Sequence, residues 1–159
     1  MTIFESLRAD HMIMRDLAEK LLATHGNSEA RTRIYSALKQ EMLAHEKAEE
    51  RCFYVPLIEY DMTQEKARHS ISEHHELDEY LEDLDALEFS SPSWLKLATH
   101  MVERLLHHMG EEEHEIFQVA GKVLPEKSKT TLARDYAALM AAERDWTPNV
   151  RSSTAKSTR

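Results

Sequence analysis

The chain has 159 residues and a formal net charge of −9, with only three glycines and four prolines. This length fits one domain with a substantial core, and the composition favours long helices. The acidic balance argues against nucleic acid as a partner, and no apolar run approaches the ~18 residues that would suggest a membrane span. Because the chain has a single cysteine and acidic residues where a secretory signal would be basic and then apolar, we expect a cytoplasmic protein.

The first two predicted helices follow from capping signals and from apolar residues at helical spacing. Thr2 and Glu5 form a capping box at the start of a helix over about 3–24. An Asn-Ser pair can cap a second helix over about 28–58, in which Pro56 disturbs the last turn. Both stripes of apolar residues also contain polar side chains.

Three further helices complete the prediction. Thr63 can cap a helix over about 64–88, and Ser91 followed by proline predicts another over about 92–120. A short fifth helix is predicted to begin near Pro125 and to pack on the outside. Short connections favour antiparallel neighbours, so the predicted fold is all-α, an antiparallel up-and-down four-helix bundle with a short fifth C-terminal helix.

The domain prediction separates a bundle from a tail. We expect one domain over residues 1–146, followed by a basic, Ser/Thr-rich tail over 147–159 that is predicted to be disordered. The oligomeric state does not follow from the sequence.

Each inward stripe of the four bundle helices carries a histidine at mid-helix, and two stripes carry a glutamate four residues later. The residues are His11, His45, Glu49, His74, His108 and Glu112. Burying such groups without partners costs about 2–7 kcal/mol each. A spacing of four residues puts the histidine and the glutamate on one helix face. A pair of divalent metals is the simplest common partner for all six.

An internal repeat relates the two halves of this set. At an offset of 63 residues, His11 falls on His74, His45 on His108, Glu49 on Glu112, Asp10 on Glu73 and Glu50 on Glu113. Two similar helix pairs across a pseudo-twofold axis would present two half-sites, as a dinuclear centre requires. The competing ferritin-like pattern needs Glu-x-x-His on two helices, and the chain has it only from Glu111 to His114, so that pattern is disfavoured.

Four stretches carry a resemblance to a known family: DH at 10–11, HEKAEERCFYVP at 45–56, EHHEL at 73–77 and HMGEEEHEIF at 108–117. In these the chain resembles the hemerythrin-like, or HHE cation-binding, domain family over about residues 1–120. The resemblance implies an antiparallel four-helix bundle that holds two iron ions, with histidines as terminal ligands and two carboxylates as bridges. By position, the terminal ligands would be His11, His45, His74 and His108, and the bridges Glu49 and Glu112.

The chain departs from the oxygen-carrying members that it resembles. Those place a second histidine on the third helix, where this chain has Ser70 and Asp78. Glu46 is predicted as a replacement metal ligand, and its counterpart at offset 63 is Met109. A hard anionic oxygen donor in place of imidazole stabilises ferric iron.

The resemblance therefore implies a non-haem di-iron protein that binds oxygen or reacts with peroxide, with O2, H2O2 or NO as its small-molecule partner. If the protein is an enzyme, we expect a catalase- or peroxidase-like activity. The alternatives are an oxygen- or iron-sensing interaction module, a reversible oxygen carrier, or a metal-free helical scaffold. The ligand types also suit zinc or manganese.

Other residues near the motifs are expected to have lesser roles. His75 and His107 fall on solvent faces, and Tyr54 is expected to line the cavity as packing. Gly110 predicts a local bulge, a close helix approach or a tolerated exposed glycine. Four more histidines are predicted to lie on the surface: His25, His69, His100 and His114.

Overall fold

The computed structural model describes the backbone of residues 1–157 and the side chains of residues 1–145. The described backbone is helical and contains no strand, which confirms the all-α prediction. The helices are α1, Ile3–Leu22; α2, Glu29–Glu49 with its continuation Glu50–Tyr54 and Val55–Ile58; α3, Gln64–Asp85; α4, Pro92–Glu111 with its continuation Glu112–Ile116 and Phe117–Val123; and α5, Glu126–Ser157. The side chains of the predicted tail, 147–159, lie outside the described residues.

Local capping explains why several helix starts match the prediction. The amide of Thr2 donates to Glu5 Oε1 at 2.9 Å and the amide of Glu5 donates to Thr2 Oγ1 at 3.3 Å, so the capping box is present. Ser28 accepts from the Arg31 amide at 3.1 Å. Thr63 differs, because its hydroxyl donates to the carbonyl of Leu57 at 2.6 Å and does not cap α3.

The four long helices close into an up-and-down bundle. α1 packs on α2, α3 packs on α4, and contacts of α1 with α4 and of α2 with α3 complete the ring. The predicted fifth helix is present as α5, begins one residue after Pro125, and packs against α1 and α2. Among the described residues, no helix combines the length and the hydropathy that a membrane span would need.

The core consists of two apolar layers with a polar layer between them. One layer includes Leu7, Ala48, Phe53 and Phe117, and the other includes Met14, Leu38, Leu81 and Trp94. Along each bundle helix, the inward histidine lies between residues of one apolar layer and residues of the other. The four histidines therefore meet in the polar layer at the middle of the bundle.

The helices α2 and α4 each contain one π-helical turn, Glu50–Tyr54 and Glu112–Ile116. A π-helical turn inserts an extra residue into the helix, and such turns are frequent at functional sites. A local bulge, one of the expectations for Gly110, is therefore present just after this residue. A β-carbon added at Gly110 would meet nothing within 4 Å, so no close approach of a neighbouring helix requires this glycine.

Candidate metal centre

The polar layer contains six buried side chains from four helices. They are His11, His45, Glu49, His74, His108 and Glu112, each at most 3% exposed. The helical spacing points all six toward the bundle axis. The structure thus brings together all six residues that the stripes singled out.

These six side chains form two overlapping groups. The groups are His11, His45, Glu49 and Glu112, and Glu49, His74, His108 and Glu112. Within each group, one nitrogen or oxygen atom from every residue lies within 4.8 Å of the others. Because the two groups share both carboxylates, the arrangement suits two metal ions joined by two bridging carboxylates.

The carboxylate of Glu49 lies between the two groups with one oxygen directed at each. Its Oε2 is 3.3 Å from Nε2 of His45, and its Oε1 is 3.1 Å from Nε2 of His74. Oxygen atoms that face two different imidazoles are well placed to bind two different metals.

Glu112 lies between the groups in a different way. Its Oε1 is 3.2 Å from Nε2 of His11 and 3.4 Å from Nε2 of His108. Its other oxygen accepts a hydrogen bond from the buried hydroxyl of Tyr54. At offset 63 Tyr54 corresponds to Phe117, which has no hydroxyl, so the two bridging positions are unequal. Tyr54 thus contacts a candidate ligand and does more than pack.

The buried polar atoms at the centre of the site match the donor set of a metal pair. Among the described residues, Nε2 of His11, Nε2 of His45, both oxygens of Glu49 and Oε1 of Glu112 make no hydrogen bond. Buried polar atoms without partners are costly and rare. The facing Nε2 atoms of His74 and His108 are 3.1 Å apart. Two cations on these inward atoms would satisfy all of them.

Three of the four histidines donate a hydrogen bond to a carboxylate from Nδ1, the ring nitrogen that faces away from the centre. Nδ1 of His11 contacts Glu113 at 2.6 Å, Nδ1 of His74 contacts Glu50 at 2.7 Å, and Nδ1 of His108 contacts Glu73 at 2.7 Å. A carboxylate on Nδ1 holds the proton there, leaves the Nε2 lone pair for a metal and fixes the ring orientation. Such partners are typical of metal-binding histidines.

The fourth histidine reaches its carboxylate through a tyrosine of α5. Nδ1 of His45 lies 2.6 Å from the hydroxyl of Tyr136, which donates to Asp10 Oδ2 at 2.5 Å. Arg144, also from α5, contacts Asp10 Oδ1 at 3.1 Å. Arg15 similarly contacts Glu113 at 3.0 Å on the same half of the site. The fifth helix therefore supports the centre, besides covering the bundle.

The sequence contains a pattern that marks the four carboxylates around the outer nitrogens of the histidines. Asp10, Glu50, Glu73 and Glu113 each stand beside a candidate ligand in the chain, and the 63-residue offset pairs them. Tyr136 had no such signal, because its residue type and its position on an outer helix both indicate packing.

The charges around the imidazoles change their affinity for protons. Burial alone lowers the pKa of His74 and His108, but nearby carboxylates outweigh it. The close carboxylates of Glu49 and Glu50 raise the pKa of His74 to about 10. The charge of Glu112 and the nearby carboxylates of Glu49 and Glu73 raise the pKa of His108 to about 10. Metal binding at these nitrogens must therefore displace protons.

Glu46 lies beside the centre but belongs to neither ligand group. Burial raises the pKa of Glu46 well above its usual range, and Asp78 raises it further. Its side chain forms part of the wall of a cavity of about 10 Å³, enough for about one water-sized molecule. The residues around this cavity are Met14, Met42, His45, Glu46, His74, Leu77, Leu105, His108 and Met109.

The remaining histidines lie as the stripes predicted. His75 and His107 are exposed, in contrast to their buried neighbours His74 and His108. His25, His69, His100 and His114 are exposed as well.

A helical bundle with two carboxylate-sharing His/Glu groups at its middle defines a protein with a candidate cation-binding centre. A family model for the hemerythrin HHE cation-binding domain matches residues 2–120. The chain belongs to the hemerythrin HHE cation-binding domain family.

A solved structure has the same fold. It is the crystal structure of a hemerythrin HHE cation-binding domain-containing protein from Mycobacterium kansasii, with a TM-score of 0.83 and 22% sequence identity. The match covers 91% of this chain and 88% of that chain. A search among curated proteins found no match.

Proposed function

We propose that the chain is a non-haem di-iron protein whose centre binds dioxygen or reacts with hydrogen peroxide. The observation that carries the proposal is the pair of carboxylates, Glu49 and Glu112, shared between two pairs of histidines. Three of these four imidazoles border a water-sized cavity. Imidazole and carboxylate donors suit iron, which supplies redox chemistry when bound. Zinc and manganese would fit the same donors, and metal analysis of the purified protein separates the three.

The cavity supports a small-molecule partner such as O2, H2O2 or NO. Three imidazoles and Glu46 form its polar side, and methionine and leucine side chains form the rest. A space for about one water-sized molecule favours a partner with no more than two heavy atoms, as in O2, H2O2 and NO. Four protein donor atoms around each metal position would leave coordination sites for such a molecule on a bound ion.

Peroxide chemistry is favoured over oxygen carriage by the residues on α3. Where a second histidine would stand, the chain has Ser70, which is buried, and Asp78, which faces Glu46. We propose that Glu46 supplies a further oxygen ligand to the metal beside His74 and His108. An anionic donor stabilises the ferric state, whereas reversible carriage needs the ferrous state to be recovered.

The reaction to be tested is the dismutation of two molecules of H2O2 into O2 and two molecules of water, which needs no other reductant. The protein is loaded anaerobically with ferrous iron, and iron per chain and O2 release after peroxide addition are measured. We expect two irons per chain and sustained O2 release. A reversible spectral change with O2 and no peroxide turnover would instead indicate oxygen carriage, and no iron uptake would refute the di-iron proposal.

Two neighbouring histidines provide the matched control. Replacing buried His74 with alanine is expected to reduce iron per chain and to abolish turnover. Replacing exposed His75 with alanine is expected to leave both unchanged. Equal losses in the two variants would show that the iron is not held by the inward stripe.

A further inference from the structure

A second group of histidines and glutamates lies on the outer face of α3 and α4. His69 and Glu73 are four residues apart on α3, and His107 and Glu111 are four residues apart on α4. Each pair repeats the spacing that the inward ligands have on α2 and α4. The spacing puts each histidine over its glutamate, and the two pairs face each other across the helix interface.

The side chains of this outer group are already close together. Nε2 of His69 is 3.3 Å from Glu73 Oε2 and 3.3 Å from Glu111 Oε1. Nε2 of His107 is 3.1 Å from Glu111 Oε2. One donor atom each from His69, Glu73 and Glu111 lies within 4.8 Å of the others.

The same position in the other half of the bundle is occupied by a cation. Asp10, the counterpart of Glu73 at offset 63, is contacted by the guanidinium of Arg144 at 3.1 Å and by the hydroxyl of Tyr136. The described hydrogen bonds and ion pairs of Glu73 are with His108 and His69. The buried carboxylate on this half therefore faces imidazoles where its counterpart faces a permanent positive charge.

We propose that His69, Glu73, Glu111 and His107 bind one divalent cation, such as Zn2+, at a mononuclear site outside the dinuclear centre. Two imidazole nitrogens with carboxylate oxygens are a donor set that such cations accept. Glu73 and Glu111 together supply two negative charges, which a divalent cation neutralises. This proposal does not depend on what metal the inner site holds.

The burial of the four side chains suits a site that exchanges its ion with solvent. Glu73 and Glu111 are 7% and 21% exposed, which holds the two carboxylates in place. The side chains of His69 and His107 are 57% and 61% exposed, so both rings can turn onto an entering ion. The open side leaves room for water ligands.

The outer site would be connected to the dinuclear centre through one carboxylate. Glu73 faces His69 with Oε2 and accepts from Nδ1 of His108 with Oε1 at 2.7 Å. An ion on the outer oxygen would therefore share Glu73 with a ligand of the inner centre.

The test is a zinc titration of the full chain after the inner centre has been loaded with iron. Free Zn2+ is followed with a chromogenic chelator, and zinc and iron per chain are measured after gel filtration. We expect the wild type to bind one Zn2+ per chain more than the double variant His69→Ala/His107→Ala. The affinity for this ion should fall at least about tenfold in the variant, since even losing an indirect partner of a metal costs about 10–100-fold.

The double variant His75→Ala/His100→Ala is the matched control, since it also removes one exposed histidine from α3 and one from α4. It is expected to bind zinc as the wild type does. Equal zinc binding by the wild type and the His69/His107 variant would overturn the proposal, and so would an equal loss in the control. Iron per chain reports the inner centre separately, so failure of the di-iron proposal would appear as missing iron and not as missing zinc.

Discussion

The hydroxyl of Tyr136 joins a ligand histidine to a carboxylate, and the substitution Tyr136→Phe removes both contacts while keeping the ring. The hydroxyl lies 2.6 Å from Nδ1 of His45 and 2.5 Å from Asp10 Oδ2. Asp10 keeps Arg144 as a partner in the variant. No other hydrogen-bond partner is described for the buried Nδ1–H of His45. The substitution therefore leaves the candidate metal ligand His45, and not Asp10, without a partner.

The expected magnitude follows from these contacts. Removing the outer partner of a metal-binding histidine typically weakens metal binding about 10–100-fold, which corresponds to about 1.4–2.7 kcal/mol. A buried donor left without an acceptor costs about 1–3 kcal/mol of folding stability. We therefore expect Tyr136→Phe to lower both metal affinity and the stability of the metal-free protein.

Metal affinity is measured by competition with a chromogenic chelator, and stability by urea denaturation of the metal-free protein. The matched control is Tyr35→Phe, in the apolar layer away from the centre. The hydroxyl of Tyr35 donates to Asp85 at 2.8 Å, and Asp85 keeps Lys39 as a partner, just as Asp10 keeps Arg144. We expect the control to lose stability without losing metal affinity. If the two variants bind metal equally well, Tyr136 does not position His45.

Three further predictions concern charge and backbone. Glu46→Gln, which keeps the size of the side chain and removes its charge, should raise the reduction potential of the iron-loaded protein in a redox titration, and an unchanged potential would argue against Glu46 as a ligand. In the metal-free protein, carboxylates outweigh burial and raise the pKa of His74 and His108 to about 10, above the ~6.5 of an unfolded histidine. The stabilisation by these imidazolium groups is complete below about pH 6.5 and is lost as pH rises toward 10, so the urea midpoint should fall over that range; a rising midpoint would contradict this. Gly110→Ala meets no atom within 4 Å and should add up to about 1 kcal/mol of stability in urea denaturation, whereas a loss would show that the π-helical turn needs glycine.

The bundle and the inner residues were predictable because their signals are local or periodic. The capping box at Thr2 and Glu5 fixes the start of α1 from residues three apart. A histidine on an apolar stripe is visible in the sequence, and the 63-residue offset relates His11 to His74 without any structure. The outer carboxylates were paired by the same offset, although their contacts were not predicted.

The rest depended on contacts between distant parts of the chain. Tyr136 contacts His45 across 91 residues, and no spacing rule connects them. The π-helical turn after Glu49 has no glycine to announce it, and it buries three consecutive residues, Cys52, Phe53 and Tyr54, which a regular helical period does not predict. Thr63 was a plausible cap from its residue type, but the nearby carbonyl of Leu57 competes for its hydroxyl.

The arginines around the centre are unevenly placed. Arg15 and Arg144 contact Glu113 and Asp10, the outer carboxylates behind His11 and His45. The described contacts of Glu50 and Glu73, behind His74 and His108, are with histidines alone. Among the described contacts, arginines therefore place positive charge behind His11 and His45 and not behind His74 and His108. If the proposed pair of metal ions is bound, the position beside His74 and His108 would favour the more highly charged ion of the two.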